Sequence, residues 1–194
     1  MKIIIAPYSP AWPALFEEQA AIIRTAIGHL HPRVDHIGST SVPGLAAKPL
    51  IDILVGLQQE EDLEKVAAPM QAAGYTYFKI YEPDMPYRRL FVKLQPLSDR
   101  LPPAIVAHAS DIDRSLFENK VHVHIIPQAS PHWLRHIAFR DYLRAHEDVR
   151  EAYAELKHTI AQREFKDMLE YNDAKDAFVK EMERRAVEWY TSGL

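Results

Sequence analysis

His36-Ile37-Gly38-Ser39-Thr40-Ser41-Val42-Pro43-Gly44-Leu45-Ala46-Ala47-Lys48-Pro49-Leu50-Ile51-Asp52-Ile53 is the most informative stretch of this chain. On its N-terminal side, Val34 to Ile37 reads as a short strand ending at Gly38. On its C-terminal side, Leu50 to Val55 is a near-continuous apolar run, as a buried central strand carries. Glycines and small hydroxyl residues after a strand let backbone N–H groups approach an anion, and a following helix would add its dipole. Gly38, Ser39, Thr40 and Ser41 therefore form a candidate phosphate cradle, to which Lys48 adds a mobile positive charge. Asp52 lies inside the apolar run, where an ionised carboxylate is costly unless it is paired or meets a metal. A phosphate cradle followed by a strand-borne acid is what metal-assisted phosphate chemistry needs.

Working outward, a first helix is expected from Pro10-Ala11-Trp12-Pro13 to about Gly28, with Leu15, Ala20, Ile22, Ile23 and Ile27 available for its apolar face. Glu60 to Ala73 reads as a helix stopped by Gly74. Tyr75 to Ile80, Arg89 to Gln95 and Lys120 to Ile126 read as further strands, while residues 96–115 carry little signal. No proline follows Pro131, and the tail is expected to form helices over about 131–146, 148–164 and 173–190. The fold class is thus α/β (α+β): a mixed sheet flanked by helices, with a helical C-terminal part. We read a single domain over 1–194, with an α/β core at 1–130 and a helical cover at 131–194.

The 194 residues bear 23 Lys and Arg against 27 Asp and Glu, a net charge of −4, which disfavours a protein whose main task is coating nucleic acid. Zero cysteines exclude disulfides, thiolate metal ligands and thiol catalysis. The opening Met1-Lys2-Ile3-Ile4-Ile5-Ala6-Pro7 is too short for a signal peptide, and no stretch approaches the roughly 18 apolar residues of a membrane span. A cytoplasmic protein with no membrane partner is expected.

His122 and His124 lie two apart on a strand, so both point to one face. If that strand neighbours Asp52, the pair could ligate a transition metal or act as general acid and base, with His36 joining from the neighbouring strand. A surface-facing histidine pair is the plainer alternative. Arg89 and Lys93 share one face of their strand while Arg88 takes the other, and either set could reach a triphosphate or simply guard a sheet edge. Tyr171 and Lys175 are one helical turn apart, and Arg140 and Asp141, adjacent on a helix, are expected to pair elsewhere. The aromatic residues of the tail read as core.

The segment from His36 to Ile53 strongly resembles the signature of the GrpB family, which also occurs as the C-terminal domain of some dephospho-CoA kinases. The likeness extends to Pro7-Tyr8-Ser9-Pro10-Ala11-Trp12, His122-Val123-His124, Phe139-Arg140-Asp141-Tyr142-Leu143-Arg144 and Tyr171-Asn172-Asp173-Ala174-Lys175. The resemblance implies a minimal nucleotidyltransferase-like fold, whose hallmark is Gly-Ser followed by acid, apolar residue, acid. Gly38-Ser39 and Asp52-Ile53 fit, but the second acid's position holds Leu54. It also implies that Lys175 faces the site.

The leading expectation is a nucleotidyltransferase-superfamily protein that binds a nucleotide phosphate on Gly38, Ser39, Thr40, Ser41 and Lys48, with Arg89, Lys93 and Lys175 as further contacts. Asp52, His122 and His124 would be its catalytic and metal-binding residues. The metal would be Mg²⁺ or Mn²⁺, or another transition ion. An NTP would be the substrate and a small molecule or a protein the acceptor, with no nucleic acid involved. Two alternatives stand beside it: a non-catalytic accessory or folding-assistance module, and a histidine-dependent metal hydrolase.

Overall fold

The computed structural model describes residues 3–166 and 168–193, and the backbone alone at 168 and 169. Met1 and Lys2, the start of the N-terminal apolar run, and Leu194 lie outside the described residues. The architecture is mixed α/β. Strands β1 (Arg33–Ile37), β2 (Ile51–Leu57), β3 (Thr76–Tyr77), β4 (Arg89–Pro96) and β5 (Phe117–Pro127) form one sheet in the order β1-β2-β5-β4-β3. β2 and β5 run parallel at its centre, and β5, β4 and β3 pair antiparallel. The helices are α1 (Trp12–Ile27), α2 (Ala67–Ala72), α3 (Pro131–Ala145), α4 (Glu147–Ala161) and α5 (Met168–Ser192). No helix is long and apolar enough to cross a membrane among the described residues.

The contacts divide the chain into two compact units: residues 11–36 with 50–133, and residues 1–10, 37–49 and 134–194. In the first, β2 is buried at every position except Asp52, which is partly exposed. That pattern explains the apolar run: a central parallel strand is covered on both faces. α1 buries Trp12, Phe16, Ala20, Ile23 and Ile27, three to four residues apart. Leu15 and Ile22, expected on that face, are instead exposed at 44% and 37%, and Phe16 takes the inward position.

The helix expected over residues 60–73 is broken into a 3₁₀ stretch, Glu60–Lys65, and the short α2. Pro69 is the reason: within one continuous helix it would lack the N–H that bonds to the carbonyl of Lys65. Gly74 then turns the chain at φ +83°. The strand expected over 75–80 is reduced to Thr76–Tyr77, because a 3₁₀ turn at Lys79–Tyr81 follows it. Its outer partner comes from the poorly legible segment: Tyr77 N–H donates to Ala104 O and Val106 N–H to Tyr77 O.

In the second unit, Val42, Leu45, Leu143 and Tyr153 share one apolar cluster, and Ile3, Ile160, Phe165 and Tyr171 another. Tyr153 stacks on Phe178 at 5.3 Å between ring centroids. The tail aromatics thus pack as core residues, save Trp189, which is 38% exposed. Arg140 and Asp141 do bond to each other, Nε to Oδ1 at 2.7 Å and Nη2 to Oδ2 at 3.1 Å, contrary to expectation. The side chain is long enough to curl back and meet its neighbour's carboxylate side-on, through the Nε–Nη2 edge of the guanidinium.

Candidate functional site

Asp52 is the second residue of β2, and the parallel register sets it opposite His122 of β5, while Leu54 stands opposite His124. Cross-strand neighbours point to the same face, so Asp52, His122 and His124 converge. His122 Nδ1 lies 3.5 Å and His124 Nε2 4.0 Å from Asp52 Oδ1. Each of the three is half-buried. Among the described residues this is the one group of three or more potential metal-ligating side chains whose donor atoms come together, all within 4.8 Å of one another. Leu54, which fills the expected place of a second acid, is completely buried. A histidine therefore stands in register beside the position where that acid is missing.

The hydrogen-bond partners of the two imidazoles differ. Asn119 Nδ2 is 3.0 Å from His122 Nε2, and turning the amide over would offer a carbonyl oxygen there instead. His122 can therefore present a lone pair on Nδ1 toward Asp52. His124 is held differently. Arg88 Nη1 lies 3.3 Å from its Nδ1, and guanidinium can only donate. The Nδ1 lone pair is thus engaged, and the neutral ring carries its proton on Nε2, the atom aimed at Asp52. A metal-bound histidine usually donates from its other nitrogen to an acceptor, so Arg88 has the wrong polarity for His124 to be a ligand in this arrangement. Asp52 and His122 fit a divalent metal, and His124 fits the role of N–H donor beside it.

Other expected site residues are not brought to this cluster. Arg89 pairs in register with Ile125 and Lys93 with Val121, which places them on the sheet face opposite His122 and His124; Arg88 is on the histidine face. Arg89 is buried and committed to Glu64, to Glu82 at 3.2 Å and to Pro86 O. Burial pushes the Glu82 carboxyl above its ordinary range, partly offset by Arg89. Lys93 Nζ donates to Ala73 O and sits 5.0 Å from the centre of the Tyr75 ring. His36 is buried and stacked on Phe16 at 4.8 Å, outside the metal-capable group.

The Gly38 segment belongs to the second unit. Gly38 adopts φ +69°, which releases the chain from β1 into a 3₁₀ turn, Ser39–Ser41. No α-helix follows the turn, so no helix dipole is added there. Ser41 Oγ donates to Gly38 O at 2.7 Å, and Arg144 Nη2 to Ser41 O at 2.8 Å. Thr40 is buried, while Ser39 and Lys48 are half-buried.

Behind the turn stands Lys157 of α4, 2% exposed. Its Nζ donates to Ser39 Oγ at 3.1 Å and to Ala46 O, and lies 4.6 Å from the centre of the Tyr153 ring. Burial, with a lesser contribution from the like charge of Lys175, brings its pKa down to about 7. Lys175 rests over the Tyr171 ring at 5.2 Å. Lys157 escaped the sequence reading, although one signal was present: Tyr153, Leu156 and Ile160 mark an inward stripe of α4 that also contains position 157.

The family model described as GrpB protein matches residues 2–185. A UPF0157 protein of Halalkalibacterium halodurans is 34% identical over 185 residues, covering 95% of this chain and 83% of that protein. A dephospho-CoA kinase of Mycolicibacterium paratuberculosis is 30% identical over 203 residues, covering 97% of this chain. The match spans 47% of that kinase, about half its length. The crystal structure of the conserved protein GrpB from Enterococcus faecalis superimposes with a TM-score of 0.78 at 33% identity, covering 96% of this chain and 99% of that one.

Proposed function

The chain belongs to the GrpB family, and from that premise we propose that it is a metal-dependent nucleotide-binding protein acting at a phosphate group. The observation that carries this reading is the convergence of Asp52, His122 and His124 on one face of the central parallel strands. Asp52 and His122 hold the divalent metal. One carboxylate and imidazole donors suit Mn²⁺, Fe²⁺, Ni²⁺ or Zn²⁺ as well as Mg²⁺. The metal supplies charge neutralisation at a phosphate oxygen.

His124, fixed by Arg88, directs an N–H toward the same space and donates to an oxygen on the phosphate or its leaving group. In the other unit, and taken by itself, the Ser39 turn offers a hydroxyl to a phosphate oxygen. With Leu54 in place of a second acid, a pair of metals bridged by two strand carboxylates is not the design. The acceptor in such chemistry is a small molecule or a protein, in keeping with the net charge of −4.

Calorimetric titration of ATP, GTP, CTP and UTP, each with and without Mg²⁺ or Mn²⁺, tests the proposal. It expects binding of at least one nucleotide that is stronger with metal; a folded sample that binds none refutes it.

The match to about half of a dephospho-CoA kinase favours a second reading, an accessory module that assists a partner. The two separate on one comparison. Asp52→Ala abolishes the cellular effect of a metal-dependent protein and leaves that of an accessory module intact.

A further inference from the structure

Lys157 is the one fully buried lysine among the described residues, and the Asp52, His122 and His124 cluster makes no use of it. Among the described residues its hydrogen-bond partners are a hydroxyl and a carbonyl, neither of which balances its charge. An ammonium has three N–H donors and no lone pair, so toward it Ser39 Oγ can only accept. The Ser39 hydrogen must then point elsewhere. Ser39 is half-buried while Lys157 is buried, so of the two residues Ser39 is the one solvent reaches. We propose that Lys157 is a positioning residue that makes Ser39 an outward hydrogen-bond donor, so that the turn binds a tetrahedral oxyanion and releases it when Lys157 loses its proton.

The proposal rests on the reading of the Ser39 turn as a phosphate-binding element and adds how that binding is controlled. A neutral amine keeps two N–H donors and gains one lone pair. In this proposal the lone pair takes the Ser39 O–H while an N–H stays on Ala46 O, and the outward donor is lost. The groups that bear on Lys157 come from three sides. Ser39 and Ala46 are in the loop, the Tyr153 ring is on α4, and Lys175 on α5 disfavours the charged form. The pKa near 7 places the change at neutral pH, and a bound anion would hold the proton in place.

Inorganic sulfate is the probe, because its own charge is constant over the range used. Sulfate is titrated at about pH 6 and about pH 9, following the backbone amide signals of residues 39 and 40 by NMR. A hydrogen bond to a charged group is worth roughly tenfold or more in affinity. The wild type is therefore expected to bind sulfate about tenfold more weakly at the higher pH. Ser39→Ala should bind weakly at both pH values and show no pH difference, and Lys157→Met should do the same. Ser39→Ala leaves Lys157 in place, so the result stands even if Lys157→Met fails to fold. Equal wild-type affinity at the two pH values, unchanged binding by Ser39→Ala, or no sulfate binding at pH 6 overturns the proposal. ATP with Mn²⁺ on the same samples separates the two readings. Intact ATP binding with no role for Ser39 or Lys157 overturns this inference alone, whereas no ATP binding overturns both.

Discussion

Arg88 Nη1 stands 3.3 Å from His124 Nδ1, and this contact assigns the tautomer of a ring whose other nitrogen faces Asp52. A cation at that position does two things. It keeps the His124 proton on the side of the cluster, and it opposes any second positive charge brought close by.

Arg88→Met should therefore tighten divalent metal binding, by roughly the tenfold by which an outer-shell group can change metal affinity, here with the opposite sign because Arg88 opposes ligation. His124 would be released to turn a lone pair toward Asp52, and a repelling charge would be gone. Calorimetry with Mn²⁺ or Zn²⁺ measures this. Unchanged or weaker binding in the variant argues that Arg88 does not restrain His124.

Gly56→Ala should destabilise the fold by about 1–3 kcal/mol. A Cβ at Gly56 would lie 2.5 Å from Gln128 Cγ and 2.6–2.7 Å from the Trp133 ring, closer than real contacts allow. Urea denaturation should show a lower midpoint with an unchanged slope. An unshifted midpoint would mean that Trp133 has room to move.

The elements legible in the sequence were those whose signal is local. β2 declared itself because Ile51, Ile53, Leu54 and Val55 are all buried, leaving Asp52 as the exception to be explained. α3 and α4 begin and end within a few residues of their expected bounds. The pairing of His122 and His124 with Asp52 was half legible: their common face follows from spacing, but their adjacency depends on β5 lying beside β2 across a long connection. The shortness of β3 was not legible, since its partner at residues 104–106 carries no strand pattern. The engagement of Arg89 with Glu64 and Glu82 depends on contacts with residues far along the chain or in a bend, which residue type alone does not reveal. Lys157 was hidden by chemistry: a lysine in an apolar stripe is ordinarily read as reaching out to solvent.

Lys157 should also leave a trace in stability. Its folded-state pKa, about 7, lies below the ordinary lysine value of 10.5. Between those values the unfolded chain binds more protons than the folded one, so stability rises with pH. Over pH 7 to 9 the wild type should gain stability from this residue. Lys157→Met should lose that part of the slope in urea denaturation. The same slope in both proteins would mean that Lys157 titrates normally.

In the proposed function Asp52 and His122 together hold a divalent metal. The most direct test is a calorimetric titration of Mn²⁺ into the wild type and into the Asp52→Asn/His122→Ala double variant, with folding of both confirmed by circular dichroism. One binding site is expected on the wild type and none on the variant. A folded wild type that takes up no metal, or a variant that binds it equally well, contradicts the proposed function.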